Sequence, residues 1–121
     1  MLRKIEIILR LGVCGTFLGH GLLAIQVNEK WIIYLNTVGF SDESAIMIMP
    51  VIGAIDILVA MIVIFKPVQP VVLYAFVWAF LTAIIRPISG EPLLEFVERT
   101  VNWAAPLALY YLLQKKNAAK D

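Results

Sequence analysis

The stretch MIMPVIGAIDILVAMIVIF, residues 47–65, decides the fold class of this 121-residue chain, because Asp56 is its only charged residue. The stretch that follows, PVQPVVLYAFVWAFLTAII at residues 67–85, carries no charge at all. About 18 apolar residues suffice for an α-helix to cross a hydrocarbon core of ~30 Å. Both stretches therefore predict transmembrane helices.

Two weaker apolar stretches flank this pair. Residues 11–25 need residues 5–10 to reach spanning length, and residues 100–113 need residues 92–99, which include three charges. Backbone in lipid must satisfy its own hydrogen bonds, so we expect both stretches to be completed as helices. The sequence thus predicts an all-α fold, one transmembrane four-helix bundle. It forms a single domain over residues 1–121, with spans at approximately 5–25, 45–65, 68–86 and 94–113.

The composition excludes several classes of protein. With 61% hydrophobic and 16% charged residues and a mean hydropathy of +0.87, the chain lacks the polar surface of a soluble domain. A net charge of +1 gives no basic bias, so no nucleic-acid partner is expected. Cys14 is the only cysteine, which excludes an intrachain disulfide or redox pair. Arg10 and His20 interrupt the first apolar stretch, which argues against a signal peptide.

The distribution of cationic residues predicts the orientation, because lysine and arginine beside membrane spans stay on the cytoplasmic side. One face of the predicted bundle carries Arg3, Lys4, Lys66, Lys115, Lys116 and Lys120. The opposite face carries Glu29, Lys30, Asp42, Glu43 and Glu91, with Arg86 at its rim. Both termini are therefore predicted to be cytoplasmic.

The two outer connections differ in kind. Residues 26–44 include Trp31, Tyr34 and Phe40 among aliphatic residues, which favours a short interfacial helix lying on the membrane, with an ordinary ordered loop as the alternative. Residues 87–92 are expected to form a turn, because proline stands at both ends and Gly90 permits a positive φ.

Small residues predict where helices approach one another, since lipid provides no hydrophobic drive for helix association. The first span carries one such set on a single face, and the third carries another at four-residue spacing. These sets are Gly12, Gly15 and Gly19, and Ala75, Ala79 and Ala83. Both are interpreted as helix–helix seams.

The fourth span carries a polar stripe at spacing i, i+3, i+4, i+7, which places its members on one face of a continuous helix. The stripe consists of Glu95, Glu98, Arg99 and Asn102, and Trp103 follows it. Glu95 and Arg99 can pair at i, i+4. His20 near the outer end of the first span and Arg86 at the end of the third fall in the same layer.

Ionisable groups inside a membrane cost ~2.5–3.5 kcal/mol each, so this convergence predicts a shared ligand-binding or proton-coupled site in the outer leaflet. The alternative is a salt-bridge network that only fixes helix register, with His20 as a partner of the Glu98 and Arg99 pair. In the second span, Asp56 is predicted to pair with Arg10, and the alternative is a protonatable relay. One histidine and one cysteine cannot form a zinc or haem site within one chain.

Several segments resemble the DoxX-like family of small four-helix membrane proteins. They are RLGVCGTFLGHG at residues 10–21, IGAID at 52–56, and ERTVNW at 98–103 followed by PLAL at 106–109, and the resemblance covers most of the chain. The residues that match the family's polar positions are Arg10, His20, Asp56, Glu98, Arg99 and Asn102. Members are bacterial and archaeal inner-membrane proteins, some of them linked to thiosulfate:quinone oxidoreduction or to complexes that manage thiol and oxidative stress.

The resemblance implies a redox-associated subunit of the bacterial inner membrane. Because this chain has no cysteine pair, electron chemistry would need a bound quinone or a partner protein. Membrane lipid and either other membrane subunits or further copies of the chain are the implied partners. An accessory subunit of an oxidoreductase fits this picture better than a stand-alone enzyme.

Under the preferred hypothesis, the outer-leaflet pocket binds a small ligand such as a quinone head group. His20 and Arg99 would donate hydrogen bonds to the ligand, and Glu98 and Asn102 would orient these donors. A tryptophan, Trp78 or Trp103, would stack on the ring unless it serves only in packing. The alternatives are a purely structural scaffold subunit and, least favoured, a small proton-coupled transporter.

Overall fold

The computed structural model describes residues 1–120, without the side chain of Lys120, and within this part the chain is all-helical. The helices are α1 Leu2–Ile25, α2 Ile32–Thr37, α3 Asp42–Phe65, α4 Gln69–Ile88, α5 Leu94–Val97 and α6 Thr100–Lys120, with a 3-10 turn at Glu29–Trp31. The predicted all-α class is confirmed. The last residue of the predicted domain and the charge of Lys120 lie outside the described residues.

Three helices, α1, α3 and α4, are long and apolar enough to cross a membrane. Their outer surfaces expose large apolar side chains such as Leu11, Leu58 and Phe65. In contrast, the charged residues Glu6 and Asp56 are buried, with only 3% and 4% of their surface exposed. Apolar side chains outside and charged side chains inside are typical of a protein whose solvent is lipid. The chain is therefore a membrane protein.

The fourth predicted span, 94–113, is not one continuous helix. The chain turns at Glu98 and Arg99, and α6 begins at Thr100 and continues past residue 113 into a polar segment. Side chains compensate for the helical hydrogen bonds lost at the break: Arg99 Nη1 donates to the Glu95 carbonyl at 2.9 Å, and Thr100 Oγ1 donates to the Val97 carbonyl at 2.6 Å. The break changes which residues of the polar stripe share a face.

Contacts between helix ends define the arrangement of the long helices. At one end, which we call the terminal end, Lys116 of α6 reaches the first turns of α1, and Asn117 Nδ2 donates to Gln69 Oε1 of α4 at 3.0 Å. The end of α3 joins them, because Arg10 Nε donates to the Val63 carbonyl at 3.1 Å. The opposite end, the loop end, carries α2, α5 and both long connections.

The core lies between α1, α3, α4 and α6. It contains Val13, Phe17, Val59, Ala60, Val63, Val72, Ala75, Ala79, Leu109 and Leu113. Ala75, Ala79 and Ala83 are all buried, as the seam predicted on α4 requires.

The seam predicted on α1 is not formed with another helix among the described residues. At Gly12, Gly15 and Gly19, no atom of another helix lies within 4 Å of the position that a Cβ would take, so this face points outward. The close approach of α1 to α3 uses Gly21 and Gly53 instead. Spacing alone identified a face of small residues but not the direction in which that face points.

The first outer connection contains the expected short helix, since the 3-10 turn and α2 are followed by a tight turn into α3. Asn28 caps the start of this segment, because its Oδ1 accepts a hydrogen bond from the Lys30 amide at 3.2 Å. In the second connection, Gly90 has φ +108°, as predicted. The turn begins later than expected, because α4 continues through Pro87 to Ile88.

Candidate functional site

A cavity of about 410 Å³ lies at the loop end, between α1, α3 and α4 and beside α2. Its walls are mainly aliphatic, and Trp78 of α4 also contributes. The lining part of α4 runs from residue 78 to residue 88, which corresponds to ~15 Å along the helix axis at ~1.5 Å per residue. A mainly apolar cavity of this volume with a few polar groups is typical of small-molecule sites.

A second, more polar hollow of about 740 Å³ adjoins the cavity. Five residues line both spaces and form what we call the rim: His20, Trp31, Tyr34, Arg86 and Arg99. They come from α1, the first outer connection, α4 and the turn before α6. The rim is therefore the boundary between an apolar interior and a polar surface.

The structure brings together some of the predicted site residues and separates others. His20, Arg86, Arg99 and Asn102 line the cavity, and Glu95 lines the outer hollow. Two predicted residues, Glu98 and Trp103, line neither space.

Glu98 and Trp103 have other surroundings. The Glu98 side chain is 63% exposed and contacts Arg99 Nη1 at 2.8 Å. Because the chain turns at Glu98, its side chain leaves the face that a continuous helix would have given it. The ring of Trp103 packs edge-on against Phe76 and Phe80, with centroids 6.3 and 5.6 Å apart, and its buried Nε1 has no hydrogen-bond partner among the described residues.

A polar junction of Arg86, Tyr34 and Glu91 connects the α2 segment to α4 and to the second connection. Arg86 Nη1 donates to Tyr34 Oη at 2.9 Å, and the guanidinium carbon lies 5.0 Å from the centre of the Tyr34 ring. Tyr34 Oη in turn donates to Glu91 Oε1, and Arg86 Nη1 lies 3.9 Å from Glu91 Oε2. Burial, together with the hydrogen bond to Glu91, raises the pKa of the Tyr34 phenol to about 12 even though Arg86 opposes the shift.

Arg99 is held from one side only. Its Nη1 contacts the Glu95 carbonyl and Glu95 Oε2, each at 2.9 Å, and Glu98 Oε1 at 2.8 Å. All side-chain hydrogen bonds of Arg99 among the described residues use this one nitrogen. A guanidinium has five N–H groups, so the remaining donors are available toward the cavity.

His20 is not part of that ion pair. Its ring stands edge-on to Trp31, with centroids 5.7 Å apart and an interplanar angle of 87°. Among the described residues no hydrogen bond joins His20 to Glu98 or Arg99, which removes the alternative role expected for it. The imidazole is half-buried at the rim and retains its hydrogen-bonding capacity.

The predicted pair of Arg10 with Asp56 is not formed. Arg10 Nη1 contacts Glu6 Oε2 at 3.0 Å, and its other nitrogens donate to the carbonyls of Val63 and Ile64 at the end of α3. Arg10 therefore caps the last turn of α3, whose carbonyls have no helical partner. Asp56 lines the cavity instead, and its buried Oδ1 has no hydrogen-bond partner among the described residues.

Glu6, which was not among the predicted site residues, is the centre of an ion cluster at the terminal end. Its carboxylate contacts Arg3 and Arg10 at 3.0 Å each and Lys116 at 3.1 Å. The available signal was the i, i+3 and i, i+4 spacing of one acid between two arginines in an otherwise apolar helix. The contact with Lys116, 110 positions away, had no local signal.

Comparisons with protein-family models, with curated proteins and with solved structures found no match to this chain. The assignment of function therefore rests on the residues of the chain itself.

Proposed function

We propose that this chain is a small multi-pass membrane subunit that binds a quinone in the cavity at its loop end and serves a redox-linked membrane assembly. The observation that carries the proposal is the mainly apolar cavity with cationic and neutral donors at its rim. A quinone has the complementary chemistry, because its ring and tail are apolar while its carbonyl oxygens accept hydrogen bonds. Ligand sites commonly combine apolar walls with a few convergent polar groups.

The donors closest to this role are Arg99, His20 and Asn102, all of which line the cavity. Arg99 is oriented by Glu98, as the sequence predicted, and also by Glu95. Trp78 provides an aromatic wall, and its ring is stacked on Tyr74 at an interplanar angle of 5°. Aromatic walls of this kind suit a flat ring.

We propose four membrane crossings, with α5 and α6 together forming the fourth. The cationic residues Arg3, Lys4, Lys66, Lys115 and Lys116 belong to helix ends that meet at the terminal end, which is therefore assigned to the cytoplasm. The cavity then lies in the outer leaflet, with α2 at the membrane surface. The resemblance to DoxX-like proteins supports placement in the bacterial inner membrane and a role beside an oxidoreductase.

A scaffold role is the second candidate, and the ion clusters favour it. The ion pair of Glu6 with Lys116 connects the start of α1 to the end of α6, and the ion pair of Arg99 with Glu95 connects the start of α6 to α5. Such networks can stabilise a helix arrangement without any ligand.

Purified protein in mild detergent tests the quinone proposal. Lipid extracts are examined for co-purifying quinone by absorbance, and a decyl-tailed benzoquinone is titrated while tryptophan fluorescence is followed. The variant Arg99→Gln removes one charged hydrogen bond and is expected to weaken quinone binding about tenfold. The matched control is Arg3→Gln, because the Arg3 side chain is 64% exposed at the terminal end, and it should bind like the wild type.

His20→Ala separates the two candidates. A variant that folds and assembles but binds the quinone weakly supports the binding site. If His20→Ala only reduces assembly, and if the wild-type protein neither retains nor binds a quinone, the scaffold role is the correct one.

A further inference from the structure

Asp56 is the one acidic residue among those that line the cavity. It lies across the contact between α1 and α3 from the turn that carries His20, because a Cβ on Gly21 would lie 3.2 Å from the Asp56 Cβ. The rim residue Arg86 lies at the end of α4, beside the outer hollow. Asp56, in contrast, lines the cavity but not that hollow, so it belongs to the inner part of the cavity.

The carboxyl group has no counter-ion among the side chains that the structure describes. Only 4% of Asp56 is exposed, its Oδ1 has no hydrogen-bond partner, and none of the ion pairs formed by residues 1–119 includes it. Burial of a polar group without a partner costs free energy, and an isolated carboxylate anion costs far more than the neutral acid. Buried polar groups in proteins nearly always have a hydrogen-bond partner, and the lack of one within the chain leaves the Asp56 carboxyl available to a ligand in the cavity.

We propose that Asp56, as a neutral carboxylic acid, donates its O–H to the quinone carbonyl oxygen that enters deepest into the cavity. The opposite carbonyl of the ring then meets the donors at the rim, so that the ligand is held at both ends. This inference rests on the proposed function and extends it. It predicts that the site prefers a quinone with two opposed carbonyl groups to a ring that has only one hydrogen-bond acceptor.

The charges around the cavity favour a neutral acceptor over a cationic ligand as the partner of Asp56. The titratable groups that line the cavity with Asp56 are His20 of α1, Tyr34 of α2, Arg86 of α4 and Arg99 before α6, and Tyr74 of α4 lies near Asp56. Two of these are guanidinium groups at the rim, and they would repel an amine that enters past them. A carbonyl oxygen, in contrast, gains from every donor on this path.

The test compares Asp56→Leu with Asp56→Asn in the same quinone titration. Leucine removes the donor and should weaken binding about tenfold, whereas the asparagine amide retains an N–H donor and should keep the affinity within about twofold of wild type. Infrared difference spectroscopy provides a second measurement that needs only the wild type and Asp56→Asn. A protonated carboxyl band that is absent from Asp56→Asn should shift when the quinone is added.

The outcomes separate this inference from the function on which it rests. If the wild type binds the quinone and Asp56→Leu binds it equally well, or if the carboxyl band does not respond, the donor role is overturned and the quinone site stands. If the wild type binds no quinone, both fail. If the wild type instead binds the lipophilic cation tetraphenylphosphonium, and Asp56→Asn abolishes that binding, the residue is an anion for a cationic ligand and the donor role is wrong.

Discussion

Gly21 of α1 and Gly53 of α3 face each other so closely that neither position has room for a side chain. A Cβ on Gly53 would lie 2.6 Å from the Gly21 carbonyl oxygen and 2.8 Å from the Ile25 amide nitrogen. A Cβ on Gly21 would lie 2.8 Å from the Gly53 carbonyl oxygen. In lipid, such backbone contact is a main source of helix association. The same contact places Asp56 beside the turn of α1 that carries His20.

Gly53→Ala should therefore destabilise the fold. The two nearest atoms that the new methyl group meets belong to the backbone of α1 and cannot rotate away, so the two helices must separate. Overpacking of this kind costs about 1–3 kcal/mol. Thermal unfolding in detergent should show a lower Tm for Gly53→Ala than for the wild type.

The outward-facing glycines of the same structure provide the matched control. Gly12→Ala and Gly15→Ala add the same methyl group where no atom lies within 4 Å, and alanine favours a helix more than glycine does. Their Tm should equal or exceed that of the wild type. A Tm of Gly53→Ala equal to that of Gly12→Ala would show that α1 and α3 are not in close contact here.

Glu6→Ala should be among the most destabilising substitutions at the terminal end. It leaves Arg10, whose side chain is only 12% exposed, without its anionic partner, and it releases Lys116 of α6. Removal of one partner from a buried pair costs about 3 kcal/mol. The measurement is unfolding in detergent, with Glu29→Ala as the control because Glu29 is exposed and forms no ion pair among the described residues.

A double-mutant cycle identifies the cause of the Glu6 effect. If Lys116 acts through the carboxylate, the losses of Glu6→Ala and Lys116→Ala should not add in the double variant. Additive losses would indicate that the ion pair between Glu6 and Lys116 contributes nothing to stability.

Three of the four predicted spans correspond to helices that are long and apolar enough to cross a membrane, because the bilayer imposes a length on each apolar stretch. The predicted span at 45–65 corresponds to α3 at Asp42–Phe65, and the polar residues Asp42 and Glu43 extend its first turn. The aromatic residues of the first outer connection also predicted the short helix before α3, because aromatic side chains are enriched where a membrane meets water. These features depend on the local sequence alone.

Side-chain partners could not be predicted in the same way, because hydropathy gives the depth of a residue but not the direction in which it points. Arg10 and Asp56 lie on contacting helices, yet Arg10 turns to the end of α3 while Asp56 turns into the cavity. The turn at Glu98 was also missed, because i, i+3, i+4, i+7 spacing presupposes an unbroken helix. The Arg10 contact depends on a residue 53 positions away, and the turn depends on side-chain hydrogen bonds to the backbone that the spacing rule does not include.

The pH dependence of stability should report the junction of Tyr34 with Glu91. The pKa of the Tyr34 phenol is raised from 10.0 to about 12 in the folded protein, so the unfolded chain loses this proton first as the pH rises. The stability that Tyr34 contributes is therefore present below pH 10 and is lost as the pH rises toward 12. The difference in Tm between the wild type and Tyr34→Phe, measured across this interval, isolates the contribution.

Glu91→Gln tests the cause of that shift. The neutral amide still accepts the phenol hydrogen bond but removes the negative charge, so the folded-state pKa of Tyr34 should be raised less. The loss should still begin near pH 10, but it should be smaller than in the wild type and end at a lower pH. A difference between wild type and Tyr34→Phe that stays constant from pH 10 to 12 would mean that the phenol is not held by the carboxylate.

Val27→Gly should stabilise the protein. Val27 follows the end of α1 with φ +57°, a left-handed conformation in which an L-residue loses about 1–2 kcal/mol and a β-branched residue is rare. Glycine adopts this conformation without strain. The greater conformational entropy of the unfolded variant lowers the free energy of unfolding by only about 0.4–1 kcal/mol. The balance favours the variant, and its Tm in detergent should rise.

Val68→Gly is the control. Val68 has φ −110°, so glycine relieves no backbone strain there, and the Tm of Val68→Gly should fall. Equal losses in both variants would contradict a left-handed Val27.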